Sequence, residues 1–521
     1  MAIPSCPRPP VAALQPWLGG LLLLSAGGCR AVDFPPPPAA AAPLHWPVPK
    51  AAALDPVDPV LWVGLAARLG PGGGNAAAAA PLRLSSGGGM LTLVDADGQR
   101  FMAPDLTLHW RWRELPEPLR LRRRVLAPFA SFESAEEAAE RWREQGVAAV
   151  IAKPADWEVW APADASPPSG ASARLVERSE SRALALELRR AEGVVPLRGP
   201  IRIEAPGGLR WKGGLYAGPF RLQHDAHGGW SLVEQVPLER YLEGVVPHEI
   251  GAGSPPAALA AQAVLARTWA VRNRHRFAVD GYHLCADTQC QVYSDPRQAG
   301  GTVRRAIAAS HHKVLASAGQ PIHAVYHATN GGIAAGFEEV WSGRPLPYLR
   351  AFPDGPADFA SRFAVPLPVG SLATLLREGQ SAFGSDHPLF RWQRVLSAGE
   401  VARALGGDAA AVGQPRELRV VERGPSGRVL ALEIRGSAGT RVLRLDAIRR
   451  TLRQLPSTLF SLSPAGEGSW RVEGGGFGHG AGLSQAGAID LARRGWSSER
   501  ILQHYYPGTV LLPLRSLTEA P

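Results

Sequence analysis

Short alternations of apolar and polar residues recur along this chain and predict a fold made mainly of strands. Some of these stretches lead into turn residues, such as Asp95-Ala96-Asp97-Gly98. The clearest strands are predicted at residues 61–65, 82–84, 90–94, 418–421 and 429–432, the last two paired as a hairpin across Gly424-Pro425-Ser426-Gly427.

Helical spacing interrupts the strands, and the clearest helix runs from Ser254 to about His275. Ser254 is a good N-cap, and Pro255 and Pro256 suit a first turn in which no amide needs to donate. Leu259 and several alanines follow one face, and such small residues predict close packing against neighbouring elements. Strands with interspersed helices place the chain in the α+β class.

Residues 126–162 differ from the strand-rich stretches before them, because their pattern predicts a helix followed closely by a strand. A capping pattern begins at Ser134, the helix runs to about Gln145, Gly146 stops it, and residues 147–151 have strand character. The segment resembles part of a SPOR module, a small α/β fold that binds peptidoglycan. An insertion that only supports the rest of the fold is the alternative, and both interpretations fit these residues.

Residues 1–29 have the pattern of a secretory signal peptide. Their apolar stretch follows Arg8, precedes small residues, and is shorter than the ~20 residues that a membrane-spanning helix needs. Cys29 stands where a lipoprotein would be cleaved and acylated. We expect an exported protein of the periplasm or cell wall, which contacts a membrane only if Cys29 carries a lipid anchor.

Composition divides the remaining chain into a Pro/Ala-rich linker (30–56), an N-terminal region (57–190) and one continuous, strand-rich domain (191–515). The net charge of +10 favours acidic partners, such as an anionic wall or a nucleic acid. The one dense basic run, residues 120–124, lies among apolar residues and matches no nucleic-acid-binding module. We therefore expect no nucleic-acid partner.

Glu249 is the candidate acid among the carboxylates of residues 236–250. It follows Pro247 and precedes the long helix, so two rigid elements hold it. Its other neighbours are valine and isoleucine, and apolar surroundings raise a carboxyl pKa, as a general acid near neutral pH requires. Glu239 and Glu243 are four residues apart on a short amphipathic helix and suit a solvent-facing side. A surface or capping role for Glu249 is the alternative.

Five blocks resemble, in order, the motifs of the SpoIID (stage II sporulation protein D)/LytB family and cover about residues 200–515. They are residues 236–270 with Ala-Gln-Ala-Val-Leu-Ala-Arg-Thr-Trp-Ala at 261–270, Cys290-Gln291-Val292-Tyr293, Tyr326-His327-Ala328-Thr329-Asn330-Gly331-Gly332, Glu339-Val340-Trp341, and residues 478–488 (Gly-His-Gly-Ala-Gly-Leu-Ser-Gln-Ala-Gly-Ala). His248 and Ile250 depart from the family, which more often has a small polar residue and Met there.

The resemblance implies a lytic transglycosylase that cuts peptidoglycan between MurNAc and GlcNAc and leaves 1,6-anhydro-MurNAc ends. It places the family's catalytic glutamate on Glu249. One carboxyl group can suffice, because the C6 hydroxyl of the sugar itself attacks C1. The LytB branch implies the alternative, a peptidoglycan-binding protein that enhances a cell-wall amidase without cutting.

The blocks also supply candidate substrate-binding residues, which are mostly polar and partly lie beside glycine-rich loops where backbone can approach a ligand. They are Arg267, Gln291, Tyr293, Tyr326, His327, Thr329, Asn330, His479, Ser484 and Gln485. A purely structural role, such as His479 bonding only to backbone carbonyls, is the alternative.

Cys285 and Cys290, with His283 nearby, offer thiolate and imidazole ligands at a spacing that could hold zinc. The resemblance implies zinc at the matching cysteines of some family members. Fewer than four protein ligands occur locally, so a distant residue or water would complete the site. A disulfide formed in an oxidising compartment, or free thiols, are the alternatives.

Overall fold

The computed structural model describes residues 42–72, 79–368 and 370–518. Its strands are β1 (Val60–Leu69), β2 (Leu82–Ser86), β3 (Leu91–Val94), β4 (Arg100–Ala103), β5 (Asp105–Phe129), β6 (Val150–Ala152), β7 (Trp157–Ala161), β8 (Arg174–Arg190), β9 (Gly193–Leu197), β10 (Ile201–Glu204), β11 (Leu209–Trp211), β12 (Gly214–Tyr216), β13 (Phe220–His224), β14 (Trp230–Pro237), β15 (Leu284–Cys285), β16 (Lys313–Ser317), β17 (Gln320–Pro321), β18 (Tyr326–His327), β19 (Ile333–Ala334), β20 (Phe352–Pro353), β21 (Arg391–Ser397), β22 (Pro415–Arg423), β23 (Val429–Gly436), β24 (Thr440–Arg444), β25 (Phe460–Pro464), β26 (Ser469–Gly475), β27 (Leu483–Ser484) and β28 (Val510–Pro513).

The α-helices of the same residues are α1 (Phe132–Arg143), α2 (Leu238–Val246), α3 (Pro256–Arg272), α4 (Gly301–Ala309), α5 (Ala357–Arg362), α6 (Ser371–Glu378), α7 (Ala398–Leu405), α8 (Ala409–Val412), α9 (Asp446–Thr451), α10 (Gln485–Arg493) and α11 (Ser498–Tyr505). A π-helical turn spans Pro247–Gly251. None of the described helices is long and apolar enough to cross a membrane. The predicted signal peptide, with Cys29, lies outside the described residues.

Two large sheets share one hydrophobic core with the helices around α3. The first has the order β15-β1-β14-β13-β10-β3-β4, and the second has the order β12-β11-β2-β5-β7-β6. The long strand β5 also pairs with β8, and β8 pairs with β9. The predicted α+β class, rich in strands, is confirmed.

The boundary predicted between residues 190 and 191 does not separate two folding units. Strand β1 pairs with β14, and β3 pairs with β10, so the first sheet takes strands from both sides of that boundary. The backbone groups at a strand edge need hydrogen-bonding partners, and these can come from a distant part of the chain. Composition does not reveal which distant strands pair.

The described part of the predicted linker, residues 42–56, lies against the domain. Trp46 is buried, and its amide donates to the carbonyl of Ala226 at 3.1 Å. The guanidinium of Arg123 donates to the carbonyl of Leu44 at 2.5 Å. The indole of Trp46 supplies apolar surface to bury, which the proline and alanine run before it lacks.

The predicted insertion contains a helix and strands, but the SPOR resemblance is not confirmed. Helix α1 begins two residues before Ser134, and the strand β6 begins at Val150 rather than at Val147. Strand β7 pairs with the end of β5, and β6 pairs with β7. These strands therefore extend the second large sheet.

Helix α3 lies at the centre of the fold, and thirteen of its seventeen residues are buried. The prediction of close packing is confirmed, although the helix is buried on more than the one face that its pattern indicated. It contacts α2, α4, α10, α11 and strand β16. Alanines allow these neighbours to approach the helix backbone closely.

A buried ion pair ties α3 to α2. Arg267 is 0% exposed, and its Nε and Nη2 each donate to the carboxylate of Glu239 at 2.7 Å. Its Nη1 donates to the carbonyl of Lys313 at 3.0 Å. Arg267 therefore supports the helix core instead of facing a substrate.

The C-terminal part has a hydrophobic cluster of its own, built on the sheets β21-β26-β25 and β22-β23-β24. The predicted hairpin is confirmed as β22 and β23, which pair in antiparallel register. The range predicted as one continuous domain thus contains a second centre of packing.

We expect Arg267→Met to lower the free energy of unfolding by about 3–5 kcal/mol, because it leaves the Glu239 carboxylate partly buried without its partner. Denaturant unfolding followed by circular dichroism measures the loss. The matched control is Arg304→Met, which removes an exposed arginine 3.5 Å from Glu243 and should cost about 1 kcal/mol or less. Equal losses for the two variants would show that the Arg267 pair contributes no more than a surface pair.

Candidate active site

A cleft of about 580 Å³ lies beside Glu249 and is lined by three separate parts of the chain. The insertion supplies one wall, the surroundings of α3 supply the second, and the C-terminal part supplies the third. Lining residues from these parts are, in order, residues 130–133 and Trp157; Glu249, Trp269, Arg276, 288–290, Val292, Val325 and Tyr326; and 339–341, Leu445, Asp446, Arg449, Arg450, Arg453, Thr458 and His479.

Glu249 lies in the π-helical turn between α2 and α3. Pro247 has no amide hydrogen to donate, which interrupts regular α-helical bonding at this point. Gly251 ends the turn at φ 86°, a left-handed conformation that favours glycine. The hydroxyl of Ser254, the predicted N-cap, instead donates to the carbonyl of Ile250 at 2.7 Å. Single π turns often occur at functional sites.

The carboxyl group of Glu249 is half-buried and accepts a hydrogen bond from the amide of Val292 at 2.8 Å. Burial raises the pKa of Glu249 above its ordinary value. The Val292 amide and the Tyr326 hydroxyl act in the opposite direction, because both favour the ionised form, but burial outweighs them. A raised carboxyl pKa suits a group that must donate a proton near neutral pH.

Tyr326 connects the cleft to a buried chain of polar groups. The side-chain amide of Gln291 donates to its hydroxyl at 3.1 Å, and the hydroxyl of Tyr241 donates to the Gln291 oxygen at 3.1 Å. Gln291 is only 1% exposed. It therefore orients Tyr326 from behind the cleft, and of the two predicted residues only Tyr326 lines the cleft.

His479 lines the cleft with its ring, but backbone groups occupy both ring nitrogens. Nε2 lies 2.8 Å from the carbonyl of Tyr326, and Nδ1 accepts from the amide of Ala481 at 3.2 Å, which assigns the neutral tautomer with hydrogen on Nε2. Burial lowers the pKa of His479 to about 3. The ring packs 5.0 Å from that of Trp341, so His479 shapes the cleft without offering a free nitrogen to a sugar.

The remaining predicted substrate-binding residues lie behind the cleft and bond within the protein. Tyr293 donates to Glu234, His327 faces the Ala481 carbonyl through Nδ1, Thr329 accepts from the Gly331 amide, Asn330 donates to Asp354, Ser484 caps α10 by accepting from the Gly487 amide, and Gln485 donates to Gln262. Together with Arg267, they hold the loops and helices that form the cleft.

Part of the cleft lies in a region of the chain that is similar to known proteins. A family model described as SpoIID, Stage II sporulation protein, matches residues 226–316, which include Glu249. Stage II sporulation protein D of Bacillus subtilis (strain 168) is 30% identical over 296 residues, or 53% of this chain and 75% of that protein. The chain belongs to the SpoIID family.

Two further relatives extend the comparison. Stage II sporulation protein D of Bacillus amyloliquefaciens is 30% identical over 292 residues, covering 53% of this chain and 74% of that protein. A protein named amidase enhancer in Bacillus subtilis (strain 168) is 29% identical over 299 residues, covering 52% of this chain and 40% of that protein.

The cleft of this SpoIID protein combines regions that different family models recognise. Residues 335–482 match a domain of unknown function, DUF8618, and this match contains Trp341, Asp446 and His479. The SpoIID match contains Glu249. The insertion that forms the remaining wall lies outside both matches, so the complete cleft is not implied by either family model alone.

Hydrogen bonds and an ion pair join the insertion to the other two walls. The hydroxyls of Ser131 and Ser134 donate to the Asp446 carboxylate at 2.5 and 3.0 Å. The guanidinium of Arg276 donates to Glu133 at 3.1 Å. The insertion of this SpoIID protein is therefore bonded to both other parts of the cleft.

Most of the charged residues of this cleft were not predicted from the sequence, among them Glu133, Arg276, Asp446 and Arg449. They are far apart in the chain, and no motif marks them. Trp341 lies in one of the blocks that resemble the SpoIID family, so that block could have identified it as a cleft residue.

Cys285 and Cys290 form a disulfide at the edge of the cleft, with their Cα atoms 5.7 Å apart. His283 accepts from the amide of Trp62 at 3.0 Å, and its other ring nitrogen lies 3.0 Å from the carbonyl of Ala52. The three residues do not fit zinc in this state, because a disulfide offers no thiolate and the ring offers no free nitrogen. Zinc binding by the reduced residues stays a prediction.

We expect the purified protein to gain the mass of two hydrogens when it is reduced, and to lose this change in Cys285→Ser. Intact-protein mass spectrometry with and without reductant measures it, because the disulfide has consumed both thiols. Elemental analysis of the same sample provides the control. One equivalent of zinc with no mass change would contradict the disulfide.

Proposed function

We propose that this protein is a peptidoglycan lytic transglycosylase that cleaves the MurNAc-GlcNAc bond, with Glu249 as general acid and then general base. The observation that carries the proposal is the half-buried carboxyl of Glu249, with its raised pKa, at the wall of the cleft. Membership of the SpoIID family supports a role on the cell wall.

The proposed reaction needs one carboxyl group. Protonated Glu249 donates its proton to the glycosidic oxygen as the bond from that oxygen to C1 of MurNAc breaks. The C6 hydroxyl of the same MurNAc attacks C1, and its proton passes to the Glu249 carboxylate. A 1,6-anhydro ring forms, no water is consumed, and the acid is restored.

The bonding of the other acids in the cleft supports a mechanism with one carboxyl group, since two free carboxyl groups would be expected of a hydrolase. Within the described residues, each has internal partners: Glu133 with Arg276, Glu339 with Gly336 and Ser426, and Asp446 with Ser131 and Ser134. Glu249 accepts a hydrogen bond from the Val292 amide, forms no ion pair within the described residues, and is the acid best placed to exchange a proton.

The proposed substrate places the protein outside the cytoplasm, in the periplasm or cell wall. The predicted signal peptide supports this location, and so does the disulfide, because disulfides persist in oxidising compartments. A lipid anchor at Cys29 is part of the same proposal. The proposed macromolecular partner is the glycan strand.

A second candidate function is the enhancement of a cell-wall amidase without cleavage of glycan. The similarity to the protein named amidase enhancer favours it. Such a binding protein would not need a protonated carboxyl group in its cleft, so Glu249 distinguishes the two functions.

We expect Glu249→Gln to reduce glycan cleavage by roughly 10²- to 10⁴-fold while leaving folding and wall binding unchanged, because Gln keeps the shape of Glu but cannot donate the proton. Mass spectrometry of digested wall measures the 1,6-anhydro ends. Glu243→Gln is the matched control, since its carboxylate pairs with Arg304 outside the cleft.

Near-normal cleavage by Glu249→Gln would exclude this residue as the acid. Products with reducing ends would indicate hydrolysis. If the unmutated protein cuts no wall preparation, including one stripped of stem peptides, the enhancer function is favoured.

We expect Tyr326→Phe to move the alkaline limb of the kcat/KM profile to higher pH. The Tyr326 hydroxyl favours the ionised form of Glu249, so its removal raises the pKa of Glu249 further and the protonated acid persists at higher pH. Rates of anhydro-end release across pH measure the limb. Tyr293→Phe is the control, because its hydroxyl bonds to Glu234 behind the cleft. A limb that stays in place or moves to lower pH would contradict the role given to Tyr326.

A further inference from the structure

Arg449 is an arginine of the cleft that forms no ion pair within the described residues. It lies on α9 and lines the cleft, and its Nε is buried without a hydrogen-bond partner. Across residues 42–72, 79–368 and 370–518, its guanidinium has neither a hydrogen bond nor an ion pair. Because an arginine stays protonated in proteins, this is a half-buried positive charge without a partner.

The acids near Arg449 do not neutralise it. Asp446 lies one turn earlier on the same helix and forms no ion pair with Arg449, and its Oδ2 accepts from the hydroxyls of Ser131 and Ser134. Asp446 does favour the charged form of Arg449, although burial has the larger effect and lowers the Arg449 pKa.

The other arginines of the cleft either form an ion pair or are exposed to solvent. Arg276 pairs with Glu133 through Nη1 and Nη2, although its Nε also lacks a partner, and Arg450 pairs with Asp156. Arg453 is exposed to solvent. Burying an unpaired charge is unfavourable, so a site that keeps one is suited to a ligand that brings the opposite charge.

We propose that Arg449 binds a carboxylate of the glycan substrate, an inference that rests on the proposed function. A guanidinium presents parallel N–H groups that match the two oxygens of a carboxylate. Peptidoglycan offers two sources: the lactyl group on C3 of MurNAc, whose carboxylate is free when the stem peptide has been removed, and the carboxylates of the stem peptide itself.

The lactyl source fits the placement of Arg449 and Glu249 in one cleft. Glu249 protonates the oxygen on C1 of a MurNAc ring, and the lactyl group hangs from C3 of that ring. A cleft that holds the scissile bond therefore holds a lactyl group as well. Arg449 would orient the ring that reacts, and Glu249 would supply the proton.

The test measures binding without turnover, in the full-length Glu249→Gln protein. Three glycan tetrasaccharides serve as probes: one with free lactyl carboxylates, one with those groups converted to methylamides, and one carrying stem peptides. We expect Arg449→Gln to weaken binding of a carboxylate-bearing probe roughly 10- to 100-fold, the value of a charge-assisted hydrogen bond, and to leave the methylamide probe unchanged. The probe that is affected identifies the source.

Arg444→Gln is the matched control, because it removes an exposed arginine of the same C-terminal part that pairs with Glu422 and does not line the cleft. Arg449→Lys keeps the positive charge but lacks the parallel N–H donors of a guanidinium. It should bind the affected probe more tightly than Arg449→Gln and less tightly than the protein with Arg449. Thermal unfolding of each variant checks that it folds.

Equal affinities of the proteins with and without Arg449→Gln for all three probes would overturn the proposal. A loss of the same size for the methylamide probe would also overturn it, since it would reveal a structural role. Absence of binding to every probe before Arg449 is changed has the same consequence. Failure of the proposed function is a separate result, because it concerns anhydro ends formed by the protein with Glu249 intact.

Discussion

The placement of Glu249 depends on the close packing of α3 in the centre of the fold. The alanines of this helix leave little room for it to shift, because neighbouring helices and a strand contact it directly. Arg267 ties it to Glu239 on α2, so the two helices on either side of the π-helical turn are bonded to each other. An acid must meet its substrate oxygen within hydrogen-bonding distance, and this core supplies the rigid support that such placement requires.

Charge pairing then separates the structural groups of the cleft from those left to act on a ligand. Arg276 with Glu133, and Asp446 with two serine hydroxyls, hold the insertion in place. Arg450 and Asp156 form a further ion pair, which joins the C-terminal part to the insertion. The two residues that we propose act on the ligand are Glu249, whose pKa is raised by burial, and Arg449, whose guanidinium has no partner within the described residues. Both conditions are unfavourable for folding, and function is the usual reason that proteins retain them.

Local patterns predicted local structure well. Apolar spacing and capping residues located α3 and α1, and turn residues located the hairpin of β22 and β23, because these signals act within a few residues. Strands β1 and β14 pair although their residues are about 170 positions apart, and this pairing could not be predicted from composition. Asn330 and Ser484 were predicted as substrate-binding residues, but both bond within the protein. The sequence does not show whether a polar side chain in a motif faces a ligand or the backbone.

The loop after Cys285 links the disulfide to Glu249, because it contains both Cys290 and the residue that bonds to the Glu249 carboxyl. Cys290 directly precedes Gln291 and stands two residues before Val292. The Val292 amide bonds to the carboxyl of Glu249, and Gln291 bonds to the Tyr326 hydroxyl, which also favours the ionised acid. The Val292 amide and the Tyr326 hydroxyl both oppose the effect of burial on the pKa of Glu249. A cross-link that restricts the conformations of this loop therefore also restricts the balance between burial and hydrogen bonding that determines when Glu249 carries its proton.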